Sequence, residues 1–330
     1  MRAPDYLLAC TVLAGLVGCG DETPTSAPAA RAASTPRYAS AAGFASWMPA
    51  INIEAAAPGA DPNFNTALVE GCPFVSRDGK AFFMASNRLG GHGGLDIWLS
   101  TRESVDDPWG EPRNVDAVNS TANDFCPTLA RDGHTFYFVS NRLNGCGGGD
   151  IYTTRIGEDW AFEAPRNLGC TVNSAADEAG PFPLPERGSG PVLYFSSTRP
   201  GLGVGGDIYM SESHGGEFAA ATRVPGVNSA LDDGQPNVRR DGLELFFYSR
   251  RQDLAGAMGG ADLYVSTRAS VSDSWSTPVN LGEYVNSAAD DTRPSLSWDG
   301  TTLYFGSGRL GGDGLNDIYV TTRQRLTGRP

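Results

Sequence analysis

The apolar residues of this chain gather in short consecutive runs: Ala81 to Met84, Thr135 to Val139, Val192 to Phe195, Leu245 to Tyr248 and Leu303 to Phe305. Runs that are apolar on successive residues and bounded by turn residues predict strands buried on both faces. Alternation would instead predict strands with one wet face. The polar positions around each run repeat. Asp-Gly pairs precede four of the runs, at Asp78-Gly79, Asp132-Gly133, Asp241-Gly242 and Asp299-Gly300, whereas the third copy has Arg187-Gly188 and a few extra residues. A Ser-x-Arg triplet closes every run, and a Gly-rich loop then leads to Asp-Ile-Tyr or a close variant. Upstream stand Asn, then Ser or Thr, an acid five residues after the Asn, and Pro three further on; the first copy runs from Asn65 to Pro73 and the fifth from Asn286 to Pro294.

This unit of about 55 residues occurs five times. Each copy predicts four short strands separated by Gly, Pro and Asp turns. A four-stranded sheet packed between two like itself is a propeller blade. The expected fold is therefore all-β, a five-bladed β-propeller of four-stranded antiparallel blades over residues 46–330. The fifth copy stops at Arg323 to Pro330, just after its third strand. Its missing strand has a counterpart at the other end, where Trp47, Pro49 and Ile51 to Ile53 precede Asn65 much as Trp275, Pro278 and Leu281 precede Asn286. The N-terminal strand is expected to complete the last blade, leaving no open sheet edge.

Composition agrees with this architecture: 42 Gly and 22 Pro argue against a helical bundle, and 40% apolar content suffices for a sizeable core. With 38 acidic residues against 25 Lys and Arg, the formal charge is −13, which would repel nucleic acid.

The N-terminus carries an address. Arg2 and the apolar stretch Tyr6 to Val17 have the make-up of a secretory signal, and the stretch is too short to span a bilayer. It ends in Leu16-Val17-Gly18-Cys19, which resembles the lipobox of bacterial lipoproteins. That resemblance implies cleavage after residue 18 and lipidation of Cys19. Gly20 stands where an inner-membrane retention signal would place Asp, so the resemblance implies an exported protein of the cell envelope, held at the outer membrane on its periplasmic side or at the cell surface. Residues 19–45, dominated by Ala, Pro, Ser and Thr, read as a flexible tether.

The series of Asp-Gly turn, aromatic run, Ser-x-Arg, Gly-rich loop and Asp-Ile-Tyr looks like the TolB-type, WD-repeat-like propeller repeat of bacterial envelopes, and covers Asn65 to Arg323. The resemblance implies a periplasmic or surface-exposed docking platform and names no ligand, because the motif is architectural.

In such a blade, three sets of polar residues converge on one face. They are the acids before the first strand (Glu70, Asp124, Glu178, Asp233, Asp291), the arginines ending the second (Arg88, Arg142, Arg199, Arg251, Arg309) and the acids starting the third (Asp96, Asp150, Asp207, Asp262, Asp317). An arginine between two carboxylates can fasten each blade's loops by charge-assisted hydrogen bonds. The Asn and Ser or Thr suit a turn, bonding nearby backbone. A second use of the innermost acids, with Asp177, Asp232 and Asp290 beside them, is a ring of oxygen ligands for Ca²⁺ or a cationic group. No other cofactor or metal is implied. Apart from Cys10 in the signal and Cys19, the cysteines are Cys72, Cys126, Cys146 and Cys170, an even number in an exported chain, with 72–126 and 146–170 the favoured pairs among three connectivities.

Catalysis finds little foothold. His92, His134 and His214 lie in different copies without a nucleophile partner. The leading expectation is a non-enzymatic, lipid-anchored propeller that docks an envelope protein or a glycan on a loop face. Specificity is expected where Leu184 to Gly190 and Gln252 to Gly260 break the five-fold pattern. The alternative is a polysaccharide-acting hydrolase with an axial carboxylate site, which would need two carboxylates of different role near the axis.

Overall fold

The computed structural model describes residues 43–186 and 190–326. The signal segment, Cys19 and all but the end of the expected tether lie outside the described residues. The strands are β1 (Ile51–Asn52), β2 (Glu70–Val75), β3 (Ala81–Ser86), β4 (Asp96–Thr101), β5 (Arg113–Asn114), β6 (Asp124–Leu129), β7 (Thr135–Ser140), β8 (Asp150–Arg155), β9 (Arg166–Asn167), β10 (Glu178–Glu186) and β11 (Gly190–Ser197). They continue with β12 (Asp207–His214), β13 (Glu217–Phe218), β14 (Thr222–Arg223), β15 (Asp233–Val238), β16 (Glu244–Ser249), β17 (Asp262–Thr267), β18 (Val279–Asn280), β19 (Asp291–Leu296), β20 (Thr302–Ser307) and β21 (Asp317–Thr322). They form five antiparallel sheets, one per repeat, as the expected five-bladed propeller requires.

β1 pairs with β21, setting Ile51 against Val320 and Asn52 against Tyr319, so the N-terminal strand closes the fifth blade. Blade 3 departs from four strands. Gly215 and Gly216, both at positive φ, turn the chain back on β12, and two short pieces, β13 and β14, then share its outer edge.

The second strands justify the reading of consecutive apolar runs: all six residues of β3 are buried. Five apolar clusters fill the five junctions between blades. One holds Phe83, Leu99, Phe136 and Phe138 between blades 1 and 2, and another holds Phe82, Trp98, Trp109 and Tyr304 between blades 1 and 5. Each blade thus buries its faces only against its neighbours, which is why one copy alone could not fold.

The repeated Asn reaches farther than a turn. Asn119 accepts from the Ile97 amide (2.8 Å) and donates to the Ile97 carbonyl (2.9 Å), so it clips blade 2 to the third strand of blade 1. Asn173, Asn228 and Asn286 do the same to Ile151, Ile208 and Leu263. Asn65 does it to Ile318, which makes the ring close through the contact that joins every other pair of blades. The local-turn expectation for this Asn is corrected: the carboxamide mimics a peptide group and pairs across the junction.

Candidate functional site

The strand connections place two sets of loops on opposite faces of the disc. On one face lie the Gly-rich loops and blade-to-blade connections; on the other lie the hairpins joining first and second strands.

On the loop face, Glu70, Asp124, Glu178, Asp233 and Asp291 are wholly buried. The arginines reach them at 3.2 Å (Arg88), 2.6 Å (Arg142), 3.0 Å (Arg199), 2.6 Å (Arg251) and 2.7 Å (Arg309). Each acid also accepts from the hydroxyl and amide of the Ser or Thr four residues before it, as Glu70 does from Thr66. The third-strand acids are not in this network. Asp96 instead accepts from the His92 amide, Asp150 from Cys146, Asp207 from Leu202, Asp262 from Met258 and Asp317 from Asp313, so each caps its own Gly-rich loop. The expected arginine between two carboxylates is therefore an arginine on one. The loop itself separates the two acids, because its backbone amides engage the second, although Oδ1 of Asp96 and of Asp150 is buried without a partner.

This geometry also accounts for the loop glycines. A Cβ at Gly91 would lie 1.9 Å from Asp96 Oδ2, and one at Gly312 would lie 1.7 Å from Asp317 Oδ2. Asp177, Asp232 and Asp290 accept from the amides of Gly149, Gly206 and Ala261 in the preceding blade. With the inner acids buried and bonded to protein donors, no ring of free oxygens faces the axis, and among the described residues no group of three or more His, Cys, Asp and Glu is placed to hold a metal ion. His92 pairs with exposed Asp116, His134 lies against the Ile156 carbonyl and His214 lies near Glu212.

The axis narrows at a waist. There each innermost strand bulges at one left-handed residue, Cys72, Cys126, Gly180, Gln235 or Arg293, with φ between 47° and 60°. The repeated Pro follows at each bulge, where its missing N–H costs no ladder bond. Cys72 is bonded to Cys126 across the first two blades, and Cys146 to Cys170 beneath the second blade's loop. Gln235 Oε1 is buried without a partner. Arg293 lies against Gly71, where any Cβ would sit 2.5 Å from its Nη1, and desolvation lowers its pKa. Burial pushes the nearby Tyr248 hydroxyl up, helped by Asp232, to which it donates at 3.1 Å.

On the hairpin side the waist opens into a funnel of about 500 Å³ with Phe74, Leu129, Phe182, Leu184, Val238 and Leu296 on its walls. Its rim is made by the residues before the Asp-Gly turns: Arg77, Arg131, Arg240 and Trp298. The three guanidinium carbons sit 5.1, 5.5 and 6.0 Å from the centre of the Trp298 ring. Asp78 and Asp132 line the same cavity. Burial pushes the Asp132 carboxyl up, but the Thr135 hydroxyl, the amides of Thr135 and His134, and Arg155 outweigh it and hold it below the usual range. Asp78 accepts from the Ser76 hydroxyl at 2.6 Å and the Lys80 amide at 3.1 Å.

Sequence alone does not single out the rim. The available signal was variation within the repeat: the residue before Asp-Gly is Arg in three copies and Trp in the fifth, at a position the fold sets on the axis. The two irregular segments also part company. Leu184 and Pro185 border the funnel, whereas Gln252 to Gly260 belongs to the opposite face, so they cannot form one site.

No family model and no curated protein matches the chain. Among solved structures it is similar to the α-L-arabinofuranosidase of Lactobacillus brevis (12% identity, 82% of this chain and 98% of that one, TM-score 0.54). A thermostable family-43 glycoside hydrolase is similar too (12% identity, 82% and 93%, TM-score 0.51), as is TolB of Agrobacterium tumefaciens (15% identity, 86% and 99%, TM-score 0.46). At these identities the likeness shows a shared fold. The leading expectation of a non-enzymatic docking module is corrected in favour of the alternative, because the first two, both above a TM-score of 0.5, are glycoside hydrolases. The physical reason for the misreading is that the repeated acids, which looked too equivalent for catalysis, are structural. Asp78 and Asp132, which line the axial cavity, belong to the hairpin turns.

Proposed function

We propose that the protein is a polysaccharide-acting hydrolase that takes its substrate in the axial funnel. One observation carries this reading: two carboxylates, Asp78 and Asp132, and one aromatic platform, Trp298, line a single cavity on the axis of the disc. Hydrolysis of a glycosidic bond breaks the C–O bond to the leaving sugar and joins a water oxygen to the anomeric carbon; one carboxyl group protonates the leaving oxygen and a second carboxylate takes the proton of the water. Asp132, whose side chain lines the cavity, is assigned the second role. Asp78, in the adjacent blade, is assigned the first.

Release of reducing ends from a panel of neutral and acidic polysaccharides tests the reading, with Asp132→Asn and Asp78→Asn as controls. Loss of turnover of about 100-fold or more in each variant is expected if both act in proton transfer. Cleavage of no polysaccharide, or cleavage that both variants retain, would sink it.

We further read the chain as exported and lipid-anchored through Cys19. The signal-like residues 1–18 support this, and two disulfides suit an oxidising compartment. Metabolic labelling with palmitate is expected in the full chain and not in Cys19→Ser; equal labelling of both would refute it.

A further inference from the structure

We propose that the sugar taken by the funnel is anionic, so that the substrate class is an acidic polysaccharide bearing carboxylate or sulfate groups. This rests on the reading of the funnel as the substrate site, and it deepens that reading by naming the charge the rim is built to receive.

The rim holds three guanidinium groups around one indole, all within 6.0 Å of its centre. Among the described residues, none of Arg77, Arg131 and Arg240 has a hydrogen bond or an ion pair. The side chains of Arg113, Arg166 and Arg293 are unpaired too, but only the three rim arginines are gathered around one ring. The loop-face arginines each pair with a buried acid, Arg239 is held by Asp241 and Glu244, and Arg250 by Asp290. In a chain with a formal charge of −13, three cations have been gathered around one indole, and none of them is in an ion pair. The acids nearby pair with none of the three: Asp132 accepts from Thr135 and His134 and lies 3.5 Å from Arg155, Asp78 accepts from the Ser76 hydroxyl and the Lys80 amide, and Asp241 is held by Arg239 at 2.8 Å. Like charges so placed repel one another, and an anion from outside relieves that repulsion while accepting forked hydrogen bonds. Cation–π contact with Trp298 keeps the three guanidinium groups near one another before the ligand arrives, which lowers the ordering cost of binding. Below the rim the apolar walls suit the C–H faces of a sugar ring.

The three rim positions come from blades 1, 2 and 4, and the fifth blade supplies the indole. Blade 3 contributes Leu184 and Pro185 to the described lining, and the tip of its hairpin, residues 187–189, lies outside the described residues.

The test is equilibrium binding to the full chain by calorimetry, using oligogalacturonate, a sulfated dextran oligomer and an uncharged dextran oligomer of matched length. The protein carries Asp132→Asn, so that turnover does not confuse the reading. The comparison variant replaces Arg77, Arg131 and Arg240 by Gln. All three are exposed side chains, so the fold is expected to survive, and a Lys version checks that charge is the cause. Expected are saturable binding of an anionic oligomer, weakening of about 10-fold or more in the Gln variant, a salt dependence that the Gln variant loses and the Lys variant keeps, and no binding of dextran. A stronger response to the sulfated oligomer assigns the group as sulfate, and a stronger response to galacturonate as carboxylate; both support the proposal. Absence of binding by either anionic oligomer, or binding unchanged by the Gln variant, overturns it, even if a neutral polysaccharide is cleaved and the hydrolase reading stands. Arginine-dependent binding with no cleavage of any polysaccharide would leave the anion site in place and remove the hydrolase.

Discussion

The five copies of one arginine–carboxylate pair form a stability experiment built into the chain. Arg251 and Asp233 are the most enclosed, with side chains 4% and 0% exposed, whereas Arg142 beside Asp124 is 23% exposed. Both arginines make the same bonds: Nε donates to a serine Oγ, and one Nη donates to a carbonyl and to the acid. Arg251→Met keeps most of the volume but leaves Asp233 with donors on Oδ2 alone, the amide and hydroxyl of Ser229, while Oδ1 and the Val227 carbonyl lose theirs. Breaking a buried pair by removing one partner costs about 3–5 kcal/mol, because the surviving charge stays out of water. Around Arg142 water can reach the acid once the guanidinium is gone, so Arg142→Met should cost about 1–2 kcal/mol. Urea unfolding midpoints at constant slope measure the difference directly, with a change in slope marking loss of two-state behaviour along the repeat. Equal costs at the two sites would refute the claim that burial, not the bonding pattern, sets the energy of the pair.

Three further outcomes are expected. Asn65→Ala removes the clip that joins blade 1 to blade 5 at Ile318, and should cost about 1–3 kcal/mol and speed hydrogen exchange along β21 more than in blade 2; uniform exchange would contradict a role in ring closure. Cys146→Ser with Cys170→Ser opens a link between residues 24 apart and should lower stability by about 3.5 kcal/mol on a chain-entropy basis, read from thermal or urea unfolding. The hairpin-turn acids Asp132, Asp241 and Asp299 have carboxyl pKa values held down overall: burial raises them, and hydrogen bonds, with Arg239 for Asp241, more than reverse it. A folded pKa below the unfolded value of about 4 gives stability that is present above that pH and is lost as pH falls through the folded value. Asp262 and Asp317 have pKa values raised by burial and act in the opposite sense, regaining stability on protonation. Asp241→Asn should therefore make the melting temperature fall less steeply below about pH 4 than in the parent chain, and an unchanged slope would count against the assignment.

Much of this protein was decided by its sequence alone. Consecutive apolar runs between Asp-Gly turns can bury both faces only inside a stack of like sheets, so the blade, its five-fold repetition and the closing N-terminal strand follow from local pattern. The loop architecture was only partly legible: sequence shows that Arg88, Glu70 and Asp96 recur together, but not that a loop amide engages Asp96 and leaves the arginine to Glu70 alone. That choice depends on loop conformation. The candidate site was less legible still. Arg77, Arg131, Arg240 and Trp298 are spread over 222 positions of chain and belong to the least conspicuous part of each repeat, the residue before a turn. Only closure of the ring carries those positions to a common axis, where charges that are unremarkable singly become a cluster. A repeat encodes its own blade; what the blades assemble at their centre depends on which residues differ between copies and on the angle at which the ring sets them facing one another.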